Sequence, residues 1–172
     1  MLHIWKQAIR GQLEAALCTM DDCLARCPDS VWRAPVAKLQ FNQAAFHAIF
    51  YTDVYLGENL SSLRGQDFHS QNASTFADYE ELEDRIQQNT YSRDFLRQYV
   101  RHCLQKTRTA VEAETEASLA ARCGFERMAL SRMELYLSTI RHLQHHAAQL
   151  SLRLRLDADE LIGWVRTGWR EG

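Results

Sequence analysis

The chain has 172 residues, 46% of them apolar and 10% aromatic, with 20 basic against 22 acidic side chains and a net charge of −2. That length suits a single domain over 1–172, and the composition is that of a packed core rather than a disordered chain. Charge this balanced excludes an overall basic footprint for nucleic acid, and no run approaches the ~18 apolar residues of a membrane helix. Cysteines stand at 18, 23, 27, 103 and 123, an odd number with three on one segment, which is not a disulfide framework. The N-terminal segment has no basic start followed by a continuous apolar stretch, so the cytoplasm is the expected compartment.

Two prolines and seven glycines leave long periodic stretches between breakers, which predicts an all-α chain. A first helix is predicted from about Leu2 to Arg26, where Leu2, Trp5, Ile9, Leu13, Leu17, Met20 and Leu24 form one apolar stripe before Pro28. Pro28 to Pro35 reads as a turn, with Val31 and Trp32 packing across the bundle end. A second helix follows from about Lys38 to Leu60. The pattern is then lost from Ser61 to Tyr91, apart from a short periodic patch at Tyr79 to Ile86; a connection this long often covers a site. Ser92 is placed to cap a third helix running to about Ala121, and Gly124 breaks it. Ser131 with Glu134 reads as a capping box opening a fourth helix to about Leu156. Leu161, Ile162, Trp164, Val165 and Trp169 predict a short docked C-terminal helical tail. Four helices of similar length predict a four-helix bundle.

The strongest chemical signal is His142 and His146, four residues apart and therefore on one helical face. That spacing lets a helix offer two imidazoles to one ion, and the zinc protease motif uses the same geometry. His145 points further round. A pair alone binds weakly, so a third ligand is needed. His47 lies in the apolar stretch Phe41 to Tyr51, where an imidazole is costly unless its nitrogens are satisfied. Three neutral imidazoles leave coordination positions open, as in catalytic zinc sites. Spacing alone also fits a core histidine bonded to a carbonyl and a chance pair on a solvated face. His3, His69 and His102 lie near termini or loops or lack such a partner.

The segment FNQAAFHAIFYTDVYL from Phe41 to Leu56, ending in Asp53-Val-Tyr55-Leu56, resembles the second helix of DinB-like proteins. HLQHHAAQL, His142 to Leu150, resembles that family's H-x-x-H-H-x-x-Q-L signature, and the Trp32 to Pro35 turn and Tyr91-Ser92 occur in matching order. The resemblance implies a four-helix bundle with His47, His142 and His146 as ligands to one divalent metal. Zinc or nickel is the expected ion, with iron, manganese or copper as alternatives. Ala147-Ala148 stands where many members have Arg-Gly, so no role of that arginine carries over.

Gln43 and Tyr51 flank His47, while Ser138 and Gln149 share the face of His142. Tyr51 and Gln149 are the weak catalytic candidates, as proton donor and as an acceptor orienting an imidazole. Space-filling near the bundle axis is the simpler reading of Tyr51 and Gln43, and Asp53 is expected to meet another helix. The absence of Glu-x-x-His excludes the di-iron carboxylate pattern, and no Gly-rich phosphate loop or Gly-x-Ser-x-Gly occurs. Cys18, Cys23 and Cys27 offer a conceivable thiolate site, although buried reduced thiols fit a core helix better. The implied function is a metal-dependent enzyme acting on a small molecule, a thiol-dependent transferase or isomerase using a low-molecular-weight thiol, or a hydrolase. The alternative is a non-catalytic, stress-associated metal-binding protein. Trp5, Phe46, Phe50, Trp164 and Trp169 exceed one internal stripe and predict a homodimer, unless the 61–91 connection and the tail cover them.

Overall fold

A computed structural model describes residues 1–77, 79–83 and 86–170. Among these the chain is all-α apart from one small hairpin. Helix α1 spans Leu2–Arg26, as the apolar stripe predicts, and buries Ile9, Leu13, Leu17, Met20 and Leu24. Strands β1 (Pro35–Val36) and β2 (Leu39–Gln40) pair antiparallel, with Val36 opposite Leu39 and Ala37 at φ 54° in the turn. Helix α2 (Phe41–Leu56) therefore starts three residues later than the periodicity suggests. Its start is fixed by reciprocal side-chain bonds between Gln40 and Gln43, which satisfy donors that the first turn leaves free.

Helix α2 ends at Leu56 rather than Leu60 because a side chain from another helix closes it. Arg132 donates to the carbonyls of Tyr55 (2.8 Å), Leu56 (3.0 Å) and Gly57 (2.8 Å), and its Nε meets Glu114 at 2.9 Å. A guanidinium at a helix C-terminus satisfies orphan carbonyls and matches the negative end of the helix dipole.

The 61–91 connection is not structureless. It carries α3 (Ser61–Arg64), α4 (Asp67–Gln71), α5 (Ala73–Phe76) and one 3₁₀ turn at Glu80–Leu82. That turn falls in the predicted Tyr79 to Ile86 patch, of which residues 84 and 85 lie outside the described residues. Helix α6 (Arg93–Ala113) is capped by Ser92, whose hydroxyl accepts from the Phe95 amide. It stops at Ala113, short of the expected Ala121, because Thr115 and Ser118 form a capping box that opens α7 (Glu116–Ala120). Helix α8 (Arg132–Ala158) begins at the predicted Ser131–Glu134 box and ends at Asp159 in the left-handed conformation.

Helices α1 and α2 each pack on both α6 and α8, so the four long helices enclose one main core. Two expectations need correction. The tail from Asp159 to Arg170 docks but is not helical: Asp159 (φ 53°) turns the chain out of α8, and Gly168 (φ 72°) bends it again. It runs along α1, with the Gly168 amide on the Gly11 carbonyl at 2.8 Å and Val165 buried against Ala15 and Cys18. A Cβ at Gly11 would stand 2.5 Å from Thr167 Oγ1, which is why glycine occupies this point of α1.

Nor are Phe46 and Phe50 spare. Both are buried within the chain, and Phe46 stacks on Tyr91 at 3.8 Å and touches Phe76 at 6.0 Å, so the connection covers them. Trp169 is partly buried against the core, leaving only Trp5 and Trp164 of that set exposed. No helix among the described residues is long and apolar enough to cross a membrane.

Candidate metal centre

Every residue of α2 is buried except His47, Tyr51 and Tyr55, which recur every four residues on one stripe. His142 and His146 leave α8 one turn apart and are half-buried, while His145 between them is exposed. The packing of α2 against α8 brings the stripe and the pair together. The ring of His47 lies 5.3 Å from that of His142 and 4.9 Å from that of His146, centroid to centroid. One ring nitrogen from each of the three lies within 4.8 Å of the other two, so the cluster can hold a metal ion.

Its chemistry fits that use. His47 Nε2 and His142 Nε2 are 3.3 Å apart. Two imidazole nitrogens on one tetrahedral zinc, each about 2.0–2.1 Å from the ion, stand roughly 3.3–3.4 Å apart. Nδ1 of His142 and Nδ1 of His146 are buried and have no hydrogen-bond partner among the described residues, which is uncommon for buried polar atoms. Burial, followed by the neighbouring imidazoles, pushes both histidines down to about 4. The pair is therefore uncharged at neutral pH, the state in which imidazole binds a cation.

Glu81 is the participant that sequence reasoning missed. Its carboxylate, 4% exposed, reaches from the 3₁₀ turn to accept a hydrogen bond from His47 Nδ1 at 2.6 Å. The periodic patch announced local structure there, but no spacing links position 81 to 47. Tyr51 stacks edge-on against His47 at 5.0 Å, yet its hydroxyl donates to the Glu81 carbonyl at 2.7 Å. Burial, then the Glu81 charge, pushes that phenol up to about 12, so it stays protonated and committed to this bond.

Gln43 is turned away from the histidines. Its amide donates to the Gln87 and Asn89 carbonyls at 3.3 and 2.9 Å, tying the connection to α2. Gln149 meets His145 at 3.0 Å and also hydrogen-bonds His146, beside the candidate ligands as expected, while Ser138 is exposed. An open depression of about 710 Å³ borders His142, lined by Ser138, Arg141, Gln144, His145 and Ala148 among others. A larger cleft lies elsewhere, between α1, α6 and the tail, and its Arg97 and Arg170 already pair with Asp21 and Asp22.

All five cysteines are free and buried. Burial, the leading effect in each case, pushes Cys23 and Cys27 up to about 12, and among the described residues only the histidine cluster gathers three ligand atoms. Asp53 indeed meets another helix rather than the His47 cluster: it accepts from Tyr99 and Lys106 of α6.

Comparison with known protein families, with curated proteins and with solved structures finds no match.

Proposed function

We propose that the four long helices form a four-helix bundle of the DinB-like type, and that the chain is a metal-dependent enzyme acting on a small molecule. One observation carries this reading: one ring nitrogen from each of His47, His142 and His146 lies within 4.8 Å of the other two. His47, His142 and His146 would hold the ion. Bound there, a divalent metal supplies Lewis acidity and lowers the pKa of a coordinated water or thiol. Zinc or nickel suits the donor set.

The chain's own groups do the rest. Glu81 holds the proton of His47 on Nδ1, and Tyr51 fastens the backbone that carries Glu81. His47 keeps 25% of its side chain exposed, so the cluster is reachable from solvent rather than sealed in the core. This favours a catalytic role, with a low-molecular-weight thiol or water as the co-substrate, over a storage or purely structural one. The apolar residues Trp5, Leu137, Leu152 and Trp164 remain exposed and support pairing with a second copy of the chain.

Elemental analysis of purified protein tests the site. About one zinc or nickel per chain is expected, lost in His142→Ala; metal-free protein that takes up neither ion on dialysis overturns the reading. Thermal-shift screening of the loaded protein with small thiols then asks about the co-substrate. Light scattering near 20 kDa, the mass of one chain, would exclude the dimer.

A further inference from the structure

We infer that Glu81 is a positioning residue for the metal centre, so that the 61–91 connection, and not the helices alone, sets metal affinity. The inference rests on the three-histidine reading and concerns how strongly that site binds. An imidazole left to itself can carry its proton on either nitrogen. A carboxylate accepts hydrogen bonds and, when ionised, donates none, so Glu81 at 2.6 Å from Nδ1 keeps the proton there. The lone pair of Nε2 then faces His142 Nε2, 3.3 Å away. A carboxylate behind a ligating histidine also orients the ring and raises its basicity.

The surroundings of Glu81 single out this role. Its backbone does not need its side chain in order to dock. Glu80 accepts from the amides of Gln88 (2.9 and 3.1 Å) and Asn89 (3.1 Å). Tyr79 OH lies 3.1 Å from His69 Nδ1, and Tyr51 holds the Glu81 carbonyl at 2.7 Å. Bringing the Glu81 carboxylate inside is costly, because its second oxygen, Oε1, is buried with no hydrogen-bond partner among the described residues. A fold gains nothing from a half-satisfied buried carboxylate unless the one bond it makes matters. That bond goes to His47.

The test measures affinity and tautomer rather than turnover. Metal-free wild type, Glu81→Ala, Glu81→Gln and His142→Ala are titrated with Zn²⁺ against a chromophoric chelator, and with Co²⁺ by visible absorption. Glu81→Ala is expected to weaken Zn²⁺ binding by about tenfold to a hundredfold. Glu81→Gln, which keeps an acceptor oxygen but no charge, is expected to lose less, on the order of threefold to tenfold. The Co²⁺ spectrum of the loaded variants should keep the wild-type shape and intensity. Long-range ¹⁵N–¹H spectra of the metal-free protein should show His47 protonated on Nδ1 in wild type and no longer held there in Glu81→Ala.

Zn²⁺ affinity within about twofold of wild type in Glu81→Ala overturns the inference and leaves the three-histidine site standing. A Co²⁺ spectrum of changed intensity overturns it differently, by making Glu81 a direct ligand. Should Glu81→Ala fail to fold, Glu81→Gln decides by the same twofold criterion. Wild type that binds no more tightly than His142→Ala removes the metal site, and this inference with it.

Discussion

Helix α2 carries two polar groups six residues apart, and their surroundings differ in kind. Asp53 faces α4 and α6 and is fully buried. Its carboxylate accepts from His69 Nε2 (2.7 Å), Tyr99 OH (2.8 Å), Gln66 Nε2 (3.1 Å) and Lys106 Nζ (2.5 Å). The partners are themselves occupied: Gln66 Oε1 meets His102 at 3.0 Å, and His69 Nδ1 meets Tyr79 OH at 3.1 Å. His47 faces α8 and belongs to a cluster with a single carboxylate and unpartnered nitrogens. Both clusters use histidine and acid. One is complete within the chain and so holds the chain together; the other leaves buried ring nitrogens without a partner among the described residues.

Asp53→Ala should have the largest effect. It strands Lys106, His69 and Tyr99 around a cavity, and removing one partner of a buried charged network costs about 3–5 kcal/mol. Urea denaturation measures this, and a loss below about 1 kcal/mol would erase the contrast. The same carboxylate predicts acid sensitivity. Burial by itself would raise its pKa, but hydrogen bonds from His102 and His69 and the charge of Lys106 hold it well below the ordinary carboxylate range. A depressed folded-state value means that its stabilisation is present above the unfolded pKa of about 3.9 and is lost as pH falls below it. Metal-free protein should therefore lose this contribution below about pH 4. Asp53→Asn should show a shallower acid dependence there, read by circular dichroism against pH.

The histidine cluster should behave oppositely. On the proposed reading an added ion stabilises it, by about 2.7 kcal/mol at a hundredfold excess over the dissociation constant. Chelator should lower the melting temperature of loaded wild type, while His142→Ala should melt alike with and without chelator. Strong destabilisation of the metal-free protein by His142→Ala would make the cluster structural and break the distinction. Tyr51→Phe should cost least, about 1 kcal/mol for one hydrogen bond to the connection. Equilibrium unfolding of the metal-free variant measures it.

The local features of the fold were readable because their causes are local. The stripe from Leu2 to Leu24, Ser92 at the start of α6 and the Ser131–Glu134 box at the start of α8 each act within a few residues. His142 and His146 were legible for the same reason, since helical periodicity alone puts them on one face. What escaped depends on distant partners. Arg132 shortens α2 from seventy-odd residues away, Phe46 and Phe50 are covered by a segment without periodicity, and Glu81 meets His47 only through tertiary folding. The tail misled because its apolar residues, Leu161 to Trp169, predict docking without showing that Asp159 and Gly168 adopt left-handed conformations that bend the chain.

The Arg132 clamp has a consequence for how this sequence can change length. By gripping the last carbonyls of α2 it fixes the first turn of α8 against that helix, ten residues before His142. Each residue of an α-helix turns the next by about 100° and advances it about 1.5 Å. One residue inserted between 132 and 142 would thus swing both imidazoles of α8 off His47, although no ligand had been altered. An insertion in the 121–131 segment, before the clamp, would leave the register from Arg132 to His142 unchanged. Between Arg132 and His142 the number of residues is thus itself part of what brings the three histidines together.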